Sequence, residues 1–404
     1  MLETSPSTES LLREDLKRST HRLFRVGQLF AVVPWNVTPF EPIPKPPSWG
    51  AKLVRGVYLA YSIAIILAVC SATVFHHSMD TVEEFFAVQT LCLGEDATLN
   101  VIVLLAVIGS RFVRPFYAKF VSTLLLLAQN LSTCGVAFDF KRVETIISRL
   151  LVAAAVYFAT IGLLEFLINY GAPHRFICQT VLYTLPNVIH VLALYKFVVL
   201  HWFIYKYHTS INRVLRSLGS VQRRAGWAAR SKFPECAGLV EILRKTHLQL
   251  CQLTTQVNDC FGALTVCTML SSFVVISLQL FNVYKLTTER SWSCGHSLRL
   301  AYTVLWIALQ SAKVLLILYP LHFVRLERDR TGSVLYSFNH SDATELTNNA
   351  LMRFSSQVLH GKEYHTACGL ITLDLTLITT MIGALTTYLV ILIQFDSAFS
   401  SRLA

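Results

Sequence analysis

Charged residues are scarce in this chain. Only 15% of its 404 residues are Asp, Glu, Lys or Arg, whereas 53% are hydrophobic, and the mean hydropathy is +0.51. Soluble domains carry about 25% charged residues, so this composition excludes an ordinary soluble domain. It is typical of a protein that places much of its length in a membrane.

Enzyme signatures are also lacking. The sequence contains no GxSxG, HExxH or P-loop pattern, and Cys294-Gly295-His296 offers too few ligands for a metal ion. We therefore predict no enzymatic activity, no cofactor and no metal site. The ten cysteines are scattered, which favours packing roles over a disulfide framework. A bridge between Cys178 and Cys294, which both lie near the predicted outer face, is left open.

Long apolar stretches dominate the rest of the chain. Seven of them reach the roughly 20 residues that are needed to cross a bilayer. They lie at residues 55–75, 85–109, 150–169, 177–204, 261–284, 299–319 and 369–395. A further apolar stretch at 116–138 is interrupted by Lys119, Gln129 and Asn130. We interpret it as an amphipathic helix beneath the membrane or a cytoplasmic extension.

Acidic residues are outnumbered, and the net charge is +11. This excess does not require a nucleic-acid partner, because Lys and Arg concentrate in cytoplasmic loops of membrane proteins. Here the segments before span one and after spans two, four and six are basic, whereas the other loops are poor in Lys and Arg. The pattern predicts a cytoplasmic N-terminus and an extracellular C-terminus. This orientation is opposite to that of a G-protein-coupled receptor.

These features divide the chain into five parts. We expect residues 1–52 to form a proline-rich cytoplasmic tail, flexible or loosely docked, and 53–320 to form a helical bundle of spans one to six with an outer ligand pocket. Residues 321–368 are predicted as a cytoplasmic loop and helix, 369–395 as the last span, and 396–404 as an extracellular tail. The fold class is therefore an all-α membrane protein whose helices extend into a cytoplasmic domain.

Polar residues stand out within these apolar spans. In span six, Tyr302, Trp306, Gln310 and Lys313 are spaced by four, four and three residues and share one helical face. Aromatic and amide groups together suit a small ligand, although ordinary packing with an interfacial tyrosine explains the pattern equally well. The outer parts of other spans add Tyr183, Asn187 and Gln279 as candidate ligand contacts.

Charged residues at membrane depth need partners or water. These are Glu95, Asp96, Glu165, Lys196, Lys313 and Asp374. We favour structural ion pairs over ion transport for them, and either Lys196 or Lys313 is a candidate partner for Glu95 and Asp96.

The last span, residues 369–395, is unusually polar. It contains Thr372, Asp374, Thr376, Thr379, Thr380, Thr386 and Thr387. A helix that faces only lipid gains nothing from such groups. Two explanations stay open: the hydroxyls bond back to the helix or to its neighbours, or the helix lines a pore.

The end of this span carries Thr387-Tyr388, five apolar residues and Gln394-Phe395. The pattern resembles the C-terminal TYhhhhhQF signature of insect gustatory receptors, in which h is an apolar residue. Ala367-Cys368-Gly369-Leu370 and Leu373-Asp374 upstream also look like the last-helix pattern of that family.

The resemblance implies a ligand-gated, non-selective cation channel in the plasma membrane of sensory neurons. It implies a homotetramer or a mixed tetramer with related receptors, assembled through the cytoplasmic domain, and a tastant, pheromone or internal metabolite as ligand. The last helices would surround one pore, with the gate near Tyr388, Ile391, Gln394 and Phe395. A G-protein-coupled receptor is the alternative. A transporter is disfavoured because the sequence shows no internal repeat.

Overall fold

The computed structural model describes residues 6–33, 49–79, 86–136, 140–225, 234–288, 294–338, 345–361 and 365–403. Helices account for almost all of them. In chain order they are α1 (Pro6–Leu29), α2 (Trp49–Met79), α3 (Phe86–Val107), α4 (Gly109–Phe112), α5 (Arg114–Thr133), α6 (Phe140–Ile168), α7 (Pro173–Gln179), a π-helical turn (Thr180–Thr184), α8 (Leu185–Ala225), α9 (Pro234–Thr288), α10 (Cys294–Tyr336), α11 (Glu345–His360) and α12 (Thr376–Leu403).

Seven stretches of helix among the described residues are long and apolar enough to cross a membrane. They are Lys52–Phe75, Val88–Phe112, Phe140–Ile168, Pro173–Ser220, Ala237–Thr288, Gly295–Tyr336 and Thr376–Ala398. The predicted all-α fold and its seven spans are therefore confirmed. Three of the helices, α8, α9 and α10, run well past the length of a bilayer, and α11 packs against α9. These extensions form a helical body continuous with the spans.

The N-terminal region differs from the prediction of a loosely docked tail. Residues 6–29 form α1, which packs along α6 and buries Leu16 and Leu23. Arg22 of α1 donates a hydrogen bond to Ser148 (2.6 Å) and pairs with Glu144 (3.3 Å). The helix forms because its apolar residues recur at helical spacing, a pattern hidden by the polar residues between them. Residues 34–48, which hold the prolines, lie outside the described part.

The ambiguous stretch at 116–138 belongs mainly to α5, which is not among the seven candidate spans. Its apolar side is buried against α1, α8 and α9, and Tyr207 of α8 donates a hydrogen bond to the Leu124 carbonyl (3.0 Å). Helix α5 is therefore amphipathic, as predicted.

The last span begins later than predicted. Helix α12 starts at Thr376 rather than Gly369, and the residues before it form a two-stranded antiparallel hairpin, β1 (Thr366–Ala367) and β2 (Ile371–Thr372). Its turn places Cys368 and Gly369 at φ values of 51° and 70°, which interrupts any helix. Asp374 then caps α12 by accepting a hydrogen bond from the Thr376 amide (3.0 Å).

Candidate functional site

Glu165 of α6 is the centre of a buried polar cluster. Its side chain is fully buried and accepts hydrogen bonds from Thr180 (3.1 Å), Thr184 (2.7 Å) and Tyr302 (3.0 Å). Three hydroxyl donors therefore hold one carboxylate inside the helical bundle, where an unpartnered charge would be costly.

The π-helical turn explains how two threonines reach the same carboxylate. Thr180 and Thr184 are its first and last residues, and Pro186 follows directly in α8. Proline has no amide hydrogen to continue the ladder, and the adjacent turn widens to an i→i+5 pattern. This wider turn directs both hydroxyls toward α6.

Lys313 of α10 forms the second half of the cluster. Its ammonium donates hydrogen bonds to Asn187 Oδ1 and to Gln310 Oε1 (3.0 Å). Ser272 of α9 also donates to Gln310 Oε1 (3.4 Å). Lys313 lies close enough to Glu95 for electrostatic attraction. Lys196 instead donates to the carbonyl of Val32, just after α1 (2.9 Å). Of these two lysines, Lys313 is therefore the one that acts on Glu95, although no ion pair joins the two side chains in the described part of the chain.

The predicted ligand residues are brought together unevenly. Tyr302 and Trp306 pack edge to face, with ring centroids 6.0 Å apart, and Gln310 and Asn187 meet at Lys313. Tyr183 lies close enough to Glu95 and Asp96 for an electrostatic interaction with them. Gln279 is half-buried and accepts a hydrogen bond from Asn282 of its own helix at 3.5 Å. Among the residues that the structure describes, no hydrogen bond joins it to the cluster.

The polar cluster is largely buried. Trp306, Gln310 and Asn187 are buried, and none of the six predicted ligand residues lines either of two cavities in the described part of the chain. Gln310 Nε2 is buried and has no hydrogen-bond partner among the described residues. A ligand that reaches this cluster would find the Gln310 amide as a donor.

Sequence reasoning missed Thr180, Thr184 and Ser272. Each is an ordinary hydroxyl residue in an apolar span, and such residues usually bond to their own helix. The depth of Thr180 and Thr184 in the predicted membrane could have identified them. Thr180 and Thr184 lie at the start of span four, opposite Glu165 at the end of span three, and a buried carboxylate needs donors at its own level.

The four gate candidates on α12 differ in exposure. Ile391, Gln394 and Phe395 are exposed, whereas Tyr388 is partly buried and its ring lies 6.2 Å from that of Phe273 in α9. Leu392 is buried with Phe281 and Leu278 of α9. The hydroxyls of Thr379, Thr380, Thr386 and Thr387 all donate to carbonyls of their own helix. One of the two explanations for these threonines is therefore present in the structure.

Comparison with known proteins gives the family. The profile of the family described as 7tm Chemosensory receptor matches residues 20–399. In Drosophila melanogaster, Putative gustatory receptor 28b is 42% identical over 69 residues, which cover 17% of this chain and 15% of that protein. Gustatory receptor for sugar taste 43a is 30% identical over 93 residues, which cover 23% of this chain and 22% of that protein. The matched stretches therefore span less than a quarter of these two relatives.

A solved structure shows the same fold. The insect olfactory receptor OR5 from Machilis hrabei, in complex with eugenol, superposes with a TM-score of 0.59 at 14% identity, over 95% of this chain and 99% of that one. The resemblance seen in the C-terminal signature is thus confirmed over most of the sequence. Members of this family are receptors and not enzymes, in agreement with the missing enzyme motifs. The chain is a multi-pass membrane protein that belongs to the 7tm chemosensory receptor family.

Proposed function

We propose that this chain is a subunit of a ligand-gated, non-selective cation channel in the plasma membrane of sensory neurons. The main support for this proposal is the exposure of helix α12. Only 6% of its apolar window is buried within the chain, the lowest share among the seven candidate spans of the described residues; α6 has 11%, α2 has 17%, and the window of α7 and α8 has 78%. A helix attached to its own subunit along one side leaves most of its surface for other partners.

The two sides of α12 differ in a regular way. Leu385, Tyr388 and Leu392 recur at intervals of three and four residues and pack toward the subunit. A neighbouring stripe on the helix is exposed and consists of Thr380, Ala384, Thr387, Ile391 and Gln394. A symmetric ring of subunits brings this same stripe to one axis from every copy. Small and hydroxyl-bearing residues at that axis suit a narrow path for hydrated cations.

The gate we propose lies at the extracellular end of this stripe. Rings of Ile391, Gln394 and Phe395 would close the path by narrowing and dewetting it. Tyr388 supports the helix from behind, since it packs against Phe273 of α9. Phe395 is half exposed and lies beside the stripe, where it can meet a neighbouring subunit.

A small organic ligand would bind at the buried polar cluster, with Tyr302, Trp306, Gln310, Tyr183 and Asn187 as its contacts. Gln279 of α9 lies outside this cluster and would contact the ligand on its way in. A tastant or pheromone fits this class, and the name of one relative mentions sugar taste while OR5 was solved with eugenol. The assembly is a tetramer, of identical or related chains, joined through the extensions of α8 to α11.

Thiol accessibility tests the pore. Gln394→Cys and Leu392→Cys are expressed in cells, and the current activated by a panel of sugars, bitter compounds and pheromones is recorded before and after an external, charged thiol reagent. The reagent should block Gln394→Cys and leave Leu392→Cys unchanged, because Leu392 is buried within the subunit. Equal block of both variants, or of neither, contradicts a pore lined by this stripe.

A separate experiment tests on which side of the membrane each end of the chain lies. Epitope tags at the two ends are stained in intact and in permeabilised cells. The proposal requires the C-terminal tag to be accessible in intact cells and the N-terminal tag to require permeabilisation. The reverse result would favour a G-protein-coupled receptor.

A further inference from the structure

A second cavity of about 650 Å³ lies between α8 and α10, away from the polar cluster. It is lined at helical spacing by Trp202 and Tyr205 from one helix and Tyr319 and Phe323 from the other. Pro320 lies within α10 at this level. The floor is buried, as at His201 and Tyr195, whereas Tyr319 and Phe323 on the rim are about half exposed. The cavity is thus an apolar, aromatic groove that opens at the surface of the bundle.

Basic residues stand at one end of this groove. The ammonium of Lys206 lies 5.2 Å from the ring centroid of Trp202 and 5.5 Å from that of Tyr205. Arg142 of α6 and Arg213 of α8 are both near enough to act on its charge. None of the ion pairs among the described residues includes any of these three cations. An anion placed between them would relieve their mutual repulsion.

The depth of this end fits a membrane boundary. Lys206 follows the apolar stretch of 177–204, and Arg142 precedes that of 150–169. With the proposed orientation, on which this inference rests, both residues lie at the cytoplasmic surface. Aromatic rings beside Lys and Arg at that level are typical of contact with lipid, and anionic phospholipids are concentrated in that leaflet.

We propose that this groove binds one anionic phospholipid of the cytoplasmic leaflet. An acyl chain lies between the aromatic side chains of α8 and α10, and the phosphate lies beside Lys206, Arg142 and Arg213. The charges select an anionic headgroup over a neutral one, and the groove selects a lipid over a soluble phosphate. Because α10 also carries Tyr302, Trp306 and Gln310, the bound lipid would contact the helix that forms much of the ligand site.

Native mass spectrometry of the purified full-length protein tests this site, with phosphatidylserine and phosphatidylcholine of identical acyl chains as probes. The triple variant Arg142→Gln, Lys206→Gln, Arg213→Gln should retain phosphatidylserine about a hundredfold less well, since each of the three basic residues contributes roughly a fivefold factor. The matched control removes three other exposed cations, Lys119→Gln, Lys245→Gln and Arg353→Gln, and should bind as the unaltered protein does.

A second variant tests the groove itself. Ala312 lines the groove from an exposed position, so Ala312→Trp fills it while keeping every cation. It should lose phosphatidylserine as well, and it decides the question if gel filtration shows that the triple variant does not fold. Equal retention of the two lipids by the unaltered protein overturns the proposal. So does retention unchanged by Ala312→Trp, or loss of the oligomer in that variant with lipid retained, which would assign the groove to a second copy of the chain.

Discussion

Asn258 Nδ2, on α9, lies 3.0 Å from Nδ1 of His365, the residue that directly precedes the hairpin before α12. Oδ1 of the same amide lies 3.2 Å from Nε2 of His201 on α8. All three side chains are buried. The Leu373 amide donates to the His365 carbonyl (2.8 Å) and so closes the hairpin onto this residue. One amide thus connects α8 and α9 to the segment that leads into the proposed pore helix.

Asn258→Ala should therefore destabilise the protein. The change leaves two buried imidazoles without their shared partner, at a cost of about 1–3 kcal/mol in the free energy of unfolding. Thermal unfolding of the purified protein measures this. Asn282→Ala is the control on the same helix, because Asn282 is exposed and its truncation should leave the melting temperature unchanged. If both substitutions lower the melting temperature equally, the contacts of Asn258 with the two histidines do not explain the loss of stability.

The pKa of His365 gives a prediction on pH. Burial, together with the nearby Arg328 charge, lowers the pKa of His365 from 6.5 to about 3. Below pH 6.5 the unfolded chain binds a proton at this residue that the folded chain does not bind until about pH 3. Its stabilising contribution is therefore complete above pH 6.5 and is lost as the pH falls toward 3, by about 1.4 kcal/mol per pH unit.

His365→Gln should remove this part of the pH dependence. Melting temperatures measured at pH 7.5 and pH 5.5 should differ less for the variant than for the unaltered protein. Other titrating groups contribute to both proteins, so the comparison isolates His365. An identical pH dependence in the two proteins contradicts the assignment.

The hairpin approaches α9 at Gly262. A β-carbon at this position would lie 3.0 Å from Cys368 Sγ and 3.2 Å from the Cys368 backbone nitrogen. Gly262→Ala should push the hairpin away and lower stability by about 1 kcal/mol or more. Gly238→Ala, on the same helix with no atom within 4 Å of the added carbon, should instead stabilise the helix by up to about 1 kcal/mol. Opposite shifts in melting temperature are expected, and a stabilised Gly262→Ala variant would argue against close docking.

Hydropathy alone placed the seven spans, because crossing a bilayer requires long apolar helices whatever their neighbours are. The spacing of Tyr302, Trp306 and Gln310 predicted that these residues share one face of the helix. The sequence alone could not show which charged side chains lie beside one another. Lys196 and Lys313 are alike in sequence, yet one bonds to the Val32 carbonyl and the other lies near Glu95. That choice depends on how the helices are packed.

Local signals at element ends were harder to interpret. Residues 369–375 are as apolar as the span that follows, so composition extended α12 backward to Gly369. The structure instead has the positive φ angles of Cys368 and Gly369 and the Asp374 cap. The helical spacing of Leu16 and Leu23 in α1 was similarly masked by the charged residues around them. In both cases backbone geometry or a partner surface outweighed average composition.

Tyr302→Phe tests the ligand site at a smaller cost to folding than the truncation of a whole ring. It removes one of the three hydroxyl donors to Glu165 and keeps the ring that packs on Trp306. We expect agonist sensitivity to fall by about tenfold, or roughly 1.4 kcal/mol of ligand binding, with ion selectivity unchanged, because the Tyr302 hydroxyl belongs to the proposed ligand site. Trp306→Ala is less informative, because truncating a buried tryptophan costs about 3–5 kcal/mol.

The matched control for this test is Tyr336→Phe. Tyr336 is on the same helix and is 90% exposed, so its hydroxyl should not matter. Dose–response curves are recorded with current normalised to surface protein. Unchanged sensitivity in Tyr302→Phe would separate the Glu165 cluster from ligand recognition and leave it a structural role.

Gln394→Ala tests the gate. If four copies of α12 surround one path, the substitution removes an amide four times from a narrow ring. It should therefore raise current in the absence of ligand or alter the relative permeability of cations. Ser397→Ala is the control on the same helix, because Ser397 is exposed but its hydroxyl bonds back to the Gln394 carbonyl (3.0 Å). Whole-cell recording in changed cation solutions, normalised to surface protein, measures both effects.

A residue that only packs would instead lower expression while the surviving channels conduct normally. Unaltered leak and permeability in Gln394→Ala and in Phe395→Ala would return this end of α12 to a scaffold role.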